Sequence, residues 1–263
     1  MRYEKISLTN DESVYLEAFV ADKVGDYKRK ALLVIPGGGY AAVCSDREGE
    51  PIALGFIPYG YNAFVLHYTV ARKRPFPAQL IEASLAIAHI KDHAEEYGID
   101  PEKVFAVGFS AGGHLAGSLG TLWHKEEIYE ATGMPYGYNK PRGVMLIYPV
   151  INAHIGSFLN LLCKDEPTKE ELDSVSLDLN VDSRTTPTFI MHTVTDQIVN
   201  VSNAISMADA LTKNGIPFEM HIYPDAPHGI ALGNAITARG NAKHINPEIA
   251  KWIAQADAWA ESI

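Results

Sequence analysis

Apolar and polar positions change period along this chain. Residues 3–8 and 13–19 alternate, as strands with one solvated face do, and Asn10-Asp11 between them is turn chemistry. The pattern predicts an antiparallel hairpin at one edge of a sheet. At residues 31–35 (ALLVI) the alternation gives way to a continuous apolar run, which suits a strand buried on both faces. Short, mainly apolar runs recur at 62–66, 104–107, 144–147 and 188–192, and 218–222 reads as a further strand. Helical spacing separates them, at 51–57, 78–97, 112–122, 201–213 and 247–260. In the helix predicted over 78–97, Leu80, Ile81, Ala83, Leu85, Ile87, Ala88 and Ile90 form the apolar face. Asp100-Pro101-Glu102 reads as a cap followed by proline at a first helical position. Strands alternating with helices imply a mainly parallel sheet covered on both faces, an α/β protein.

The 263 residues contain no linker, no repeat and no long run of like charge, and they read as one domain. Roughly 40 residues separate the strands predicted at 144–147 and 188–192, a long connection for a compact domain. Residues 150–186 are therefore read as a small, partly helical cap over a site. The formal net charge is −10, and the basic residues are scattered. That balance argues against nucleic acid or an anionic membrane as partner. Two cysteines do not make a disulfide framework. The polar start MRYEKISLTNDES is no signal peptide, so a cytoplasmic location is expected. The oligomeric state is open, and a homodimer is compatible with the sequence.

Chemistry concentrates at Gly108-Phe109-Ser110-Ala111-Gly112, which fits G-x-S-x-G. In that motif a serine sits on a sharp strand-to-helix turn whose neighbours must be small. The context is right, because a predicted strand precedes it and a small-residue helix follows. The fold expected is therefore that of the α/β-hydrolases, with Ser110 as nucleophile. A serine hydroxyl needs a base. Among ten histidines, His228 is distinguished by its loop, Pro227-His228-Gly229, between the last strand and the last helix. His192 and His221 lie in strands, and His89 and His93 on a helix. In this fold the acid stands between serine and histidine in chain order. Asp196, just past a strand, fits better than Asp225, which lies too close to His228 to reach behind its ring. Pro36-Gly37-Gly38-Gly39-Tyr40 follows a buried strand and can offer backbone N–H groups to an oxyanion, from Gly38 and Gly39, with Ala111 as a further donor. The glycines do not fit G-x-G-x-x-G, and no Lys-Ser/Thr follows them, so they do not read as a nucleotide site. Neither a metal nor an organic cofactor is required. Tyr40, Trp123, Tyr148 and His154 are candidate substrate contacts.

With those pieces placed, the chain resembles small esterases near the hormone-sensitive-lipase branch, especially bacterial carbohydrate esterases of the acetyl-xylan esterase kind. The likeness rests on PGGGY at 36–40, SDREGEP at 45–51, GYNAFVLHY at 60–68, GFSAGGHLA at 108–116, HIGSFLNLL at 154–162, TPTFIMHTVTDQIVNVSNA at 186–204 and PHGIAL at 227–232. It departs from the wider branch at Pro36, where a histidine is usual, and at Asn200, where a proline is frequent. The resemblance implies the same triad and a short-chain, chiefly acetyl, ester on a small molecule or plant oligosaccharide. Inside a cell, the substrates would be imported xylo-oligosaccharides. Alternatives are an arylformamidase-type amidase, a general short-chain carboxylesterase, and a binding module that has lost catalysis.

Overall fold

Among the residues described by the computed structural model, 1–154 and 158–263, eight strands form one sheet. They are β1 (Arg2–Ser7), β2 (Tyr15–Val20), β3 (Arg29–Ile35), β4 (Tyr61–His67), β5 (Ile99–Phe109), β6 (Val144–Ile147), β7 (Thr188–Thr193) and β8 (Phe218–Tyr223). Their order across the sheet is β1-β2-β4-β3-β5-β6-β7-β8. β1 pairs antiparallel with β2, and β2 antiparallel with β4. The remaining neighbours are parallel. The hairpin thus occupies one edge, as its alternation predicts.

The helices are α1 (Ser45–Glu48), α2 (Glu50–Phe56), α3 (Ala78–Asp92), α4 (Ala94–Tyr97), α5 (Ala111–Thr121), α6 (Glu126–Thr132), α7 (Leu159–Leu162), α8 (Lys169–Val175), α9 (Leu177–Asn180), α10 (Ser202–Lys213) and α11 (Trp252–Glu261). The sheet separates two cores. One contains apolar residues of α3, α5 and α10, the other those of α2 and α11. The continuous run in β3 serves both: Ala31, Leu33 and Ile35 face the first, Leu32 and Val34 the second. Successive strand side chains point to opposite faces, so a strand buried on both sides is apolar at every position.

Two expectations fail locally. Asp100-Pro101-Glu102 starts no helix and lies within β5. Pairing with β3 moves from Arg29↔Ile99 to Ala31↔Val104, so these residues bulge out of register. The Asp100 side chain accepts the N–H of Glu102, the hydrogen bond of a local turn rather than of a helix cap. The helix predicted over 78–97 ends at Asp92 and restarts at Ala94. Its buried face also differs. Gln79, Glu82 and Ser84 are buried while Ile81 and Leu85 are partly exposed. Glu82 is tolerated because its carboxylate accepts from the N–H and hydroxyl of Thr69 and from Arg74.

The last helix is tied to the sheet by a buried cation. Lys30 of β3 donates to Asp257 at 2.6 Å and to Glu261, both on α11. Its ammonium also lies 4.3 Å from the centre of the Tyr61 ring. Burial alone would push the Lys30 pKa down, but the two carboxylates outweigh it and the net direction is up. Asp257→Ala leaves this ammonium with one exposed partner, and should cost about 2–3 kcal/mol. Lys30→Met should cost less, because it leaves no buried charge behind. Urea unfolding of the two variants beside wild type checks the order.

Candidate active site

The strand order reverses direction between β3 and β5, and the crevice outside their carboxyl ends is where an open α/β sheet accepts ligands. Ser110 sits there, between β5 and α5, at φ 54° and ψ −117°. A residue with a side chain avoids that region, so the turn must be held from outside. The Ser110 N–H donates to the Ile147 carbonyl, and its own carbonyl accepts from His114 and Val150. The flanking glycines are required by contact. A Cβ on Gly112 would run into the carbonyls of Ile35 and Pro36, and one on Gly108 into the carbonyl of Gly112.

His228 comes from the loop after β8, and its Nε2 lies 2.9 Å from Ser110 Oγ. Its Nδ1 lies 2.6 Å from Asp196 Oδ2. Asp196 follows β7, and its other oxygen accepts the N–H groups of Ile198 and Val199, both at 2.9 Å. Burial pushes the Asp196 carboxyl up, but His228 and the two N–H donors outweigh it, so its pKa lies below the ordinary value. The acceptor at Nδ1 keeps the proton there and leaves the Nε2 lone pair directed at the serine hydroxyl. Such an arrangement can take a proton from Ser110 as its oxygen attacks an electrophilic carbon. Asp225 turns elsewhere and accepts the Thr195 hydroxyl at 2.6 Å. His221 pairs with Glu219, and His89 stacks on His93.

A cavity of about 440 Å³ opens over Ser110, walled by Gly39, Tyr40, Ala111, Val150, Phe158 and the acid loop from Val194 to Asn200. Among the described residues, nothing accepts from the N–H of Gly39 or of Ala111. Gly38 does not line the cavity. Its carbonyl accepts from Ala41 and Ala42, and at φ 128° it turns the chain so that Gly39 faces the space. Residues 150–186 contribute Val150 and Phe158 to the wall, and Asn160 Nδ2 donates to the Gly39 carbonyl at 3.0 Å. Of the motif at 154–162, residues 155–157 lie outside the described residues.

The four candidate contacts separate. Tyr40 is a cavity wall, with its buried hydroxyl on His114 Nδ1 at 2.8 Å. Tyr148 is buried and cannot stack on a substrate. Its ring stands edge-on to that of His228, with centres 5.1 Å apart. Trp123 follows the far end of α5, roughly 18 Å along the helix from Ser110. Its indole N–H is committed to the Arg184 carbonyl. His154 is exposed, paired with Asp173 at 2.7 Å, and does not line the cavity. Trp123 and Tyr148 are therefore corrected as substrate contacts, and His154 is not among the described residues that line the cavity.

Two buried polar groups near the site are not singled out by sequence. His114, one turn after Ser110, donates from Nε2 to the Val175 carbonyl at 2.7 Å and packs against Phe158. Burial pushes its pKa down to about 4. One histidine on an otherwise small and apolar helix is the available signal for it. Glu48, only 1% exposed, accepts the Gly37 N–H at 2.8 Å and the Tyr148 hydroxyl at 3.0 Å. No local pattern marks an acidic residue for such burial.

The fold and the serine–histidine–aspartate geometry together define an α/β-hydrolase. The BD-FAE family model matches residues 19–211, and the chain belongs to that family. It is 40% identical to endo-1,4-beta-xylanase B of Butyrivibrio fibrisolvens over 221 residues, 80% of this chain and 34% of that one. It is 27% identical to the acetylxylan esterase of Xylanibacter ruminicola over 237 residues, 87% of this chain and 46% of that one. The chain thus spans only about a third to a half of these curated relatives. The solved acetyl ester-xyloside bifunctional hydrolase of Caldicellulosiruptor lactoaceticus aligns with a TM-score of 0.82 at 30% identity, covering 99% of this chain and 96% of that one.

Two variants probe the site's frame. Gly112→Ala forces backbone at the crossing of α5 with β3 to move, and should cost about 1–3 kcal/mol in chemical unfolding. His114 gives a pH signature. The unfolded chain takes up this proton near 6.5 and the folded protein only near 4, so stability falls as pH drops through that window. Its share is at most about 1.4 kcal/mol per pH unit. His114→Gln should flatten that slope when urea midpoints are compared at pH 7, 6 and 5.

Proposed function

We propose that this protein is a serine esterase that hydrolyses short-chain, chiefly acetyl, esters carried by xylo-oligosaccharides or related plant-polysaccharide fragments. The observation that carries the reading is the relay from Asp196 through His228 to Ser110, at 2.6 and 2.9 Å, beneath a cavity that Gly39 and Ala111 line. His228 removes the Ser110 proton as Oγ attacks the ester carbonyl. The oxygen that becomes negative is met by backbone N–H groups of Gly39 and Ala111, with Gly38 shaping the turn. His228 then protonates the departing alcohol, and water repeats the sequence on the acyl-enzyme. Asp196 keeps the imidazole oriented and stabilises its charged form.

Support for the alcohol side comes from relatives and from shape. An acetylxylan esterase and an acetyl ester-xyloside hydrolase are among the similar proteins. The cavity shares Gln197 with a neighbouring trough of about 460 Å³ whose lining mixes Thr195, Asp225, Lys243 and Asn246 with Ala226, Pro227, Ala242 and Ile245. Hydroxyl, carboxylate, ammonium and amide groups suit a polyhydroxylated leaving group.

The test compares wild type with Ser110→Ala on p-nitrophenyl acetate, butyrate and octanoate, and measures acetate released from acetylated xylo-oligosaccharides. The expected result is a preference for acetate, release of acetate from the sugar, and loss of both in Ser110→Ala. Failure to deacetylate any sugar would remove the carbohydrate substrate. Inactivity on every ester, with turnover of an aryl formamide, would replace esterase by amidase.

A further inference from the structure

We propose that Glu48 is a positioning residue, a buried carboxylate that holds the oxyanion turn and the histidine loop in one fixed relation. The proposal rests on the esterase reading of Ser110 and His228.

Glu48 ends the four-residue helix α1 and is buried, and its two carboxylate oxygens accept from Gly37, Tyr148 and Arg47. Oε2 takes the N–H of Gly37, the residue before Gly38 and Gly39. Oε1 takes the hydroxyl of Tyr148 and, at 3.4 Å, the Nε–H of Arg47. The Tyr148 oxygen in turn accepts the N–H of Ala231 at 3.2 Å, three residues after His228, and its ring edge supports the imidazole. Ala231 has φ 50°, a left-handed conformation that a Cβ disfavours. It is clamped on both sides, because its carbonyl accepts the Trp252 indole N–H at 2.9 Å. The Arg47 guanidinium flanks the same loop at Gly229.

One carboxylate therefore bridges two loops that leave β3 and β8, strands far apart in the sheet. An acceptor with two oxygens is what the position demands, since each side presents a donor. The bond to Gly37 is close enough that a Cβ there would lie 2.9 Å from Glu48 Oε2. Donors for an oxyanion act only when aligned beforehand, and the base only when its ring is held at the serine. Glu48 does not line the cavity and bonds to neither Ser110 nor His228, so its effect passes through Gly37 on one side and Tyr148 on the other.

Glu48→Gln keeps the shape but turns one oxygen into an NH2 group, so that either Gly37 or the Tyr148 hydroxyl and Arg47 lose the acceptor they donate to. With p-nitrophenyl acetate, its kcat should fall about 10- to 100-fold while KM stays within about 2-fold. Tyr148→Phe keeps the ring and loses the link to Ala231, and its kcat should fall less. The double variant should be no slower than Glu48→Gln, because both act through one connection. A kcat of Glu48→Gln within 2-fold of wild type, a loss confined to KM, or effects that multiply in the double variant would overturn the proposal. If Glu48→Gln does not fold, as read by circular dichroism, Tyr148→Phe decides: a lower kcat at constant KM supports the link, and an unchanged kcat overturns it. Should the wild type hydrolyse no ester, the esterase reading fails. The rate at which a fluorophosphonate labels Ser110, slower in Glu48→Gln or not, then judges the positioning role separately.

Discussion

The backbone at Ser110 is where the chain of β5 meets α5 more closely than any side chain permits, and the rest of the site is built against that contact. Gly112 lies under the carbonyls of Ile35 and Pro36, at the end of β3. Gly37 is equally confined, since a Cβ there would come within 2.7 Å of the Phe109 carbonyl and 3.0 Å of the Ser110 Cβ. The glycine turn and the serine turn are thus fitted into each other with no intervening side chains. A strained residue costs on the order of 1–3 kcal/mol, and persists only where its surroundings over-determine it. Here the surroundings are three backbone hydrogen bonds and the packing of α5 on the sheet.

That closeness also explains the small residues along α5. Gly117 faces Leu177 of α9, and Gly120 faces Val144 of β6, so the helix can lie flat between the sheet and the β6–β7 connection. The same connection supplies Phe158 to the cavity, and His114 joins it to Tyr40 through a carbonyl and a hydroxyl. The cavity wall therefore comes from three separate segments that meet on one buried imidazole. A neutral histidine suits this role, because its two nitrogens serve one acceptor and one donor without a charge in the core.

Buried polar groups hold three junctions of this molecule. Lys30 ties α11 to β3, Glu82 ties α3 to the loop after β4, and Glu48 ties the glycine turn to the loop of His228. Each is surrounded by partners of opposite character. Apolar packing gives the two cores their cohesion but is non-directional. Where loops must keep a set distance and angle, directional hydrogen bonds carry the constraint.

The sequence by itself determined where most of the strands lie, the two-sided burial of central strands such as β3, β6 and β7, and the order of chemistry along the chain. ALLVI suits a strand covered on both faces, and G-F-S-A-G between a strand and a small-residue helix suits a tight turn at Ser110. His228 and Asp196 were legible because they follow strands that end on the same side of a parallel sheet. The misplaced cap at Asp100 shows where local signals run out: a cap motif and a bulged strand start share the same residues, and pairing with β3 decides between them. Trp123, Tyr148 and His154 show the same limit, since an aromatic residue or a histidine in the right neighbourhood says nothing of which way it points. Tertiary structure alone decided that Tyr148 backs His228 rather than a substrate, that Glu48 is buried among donors, and that Phe158 reaches the cavity. Those outcomes depend on contacts between segments far apart in the chain, and periodicity reports only a residue's own element.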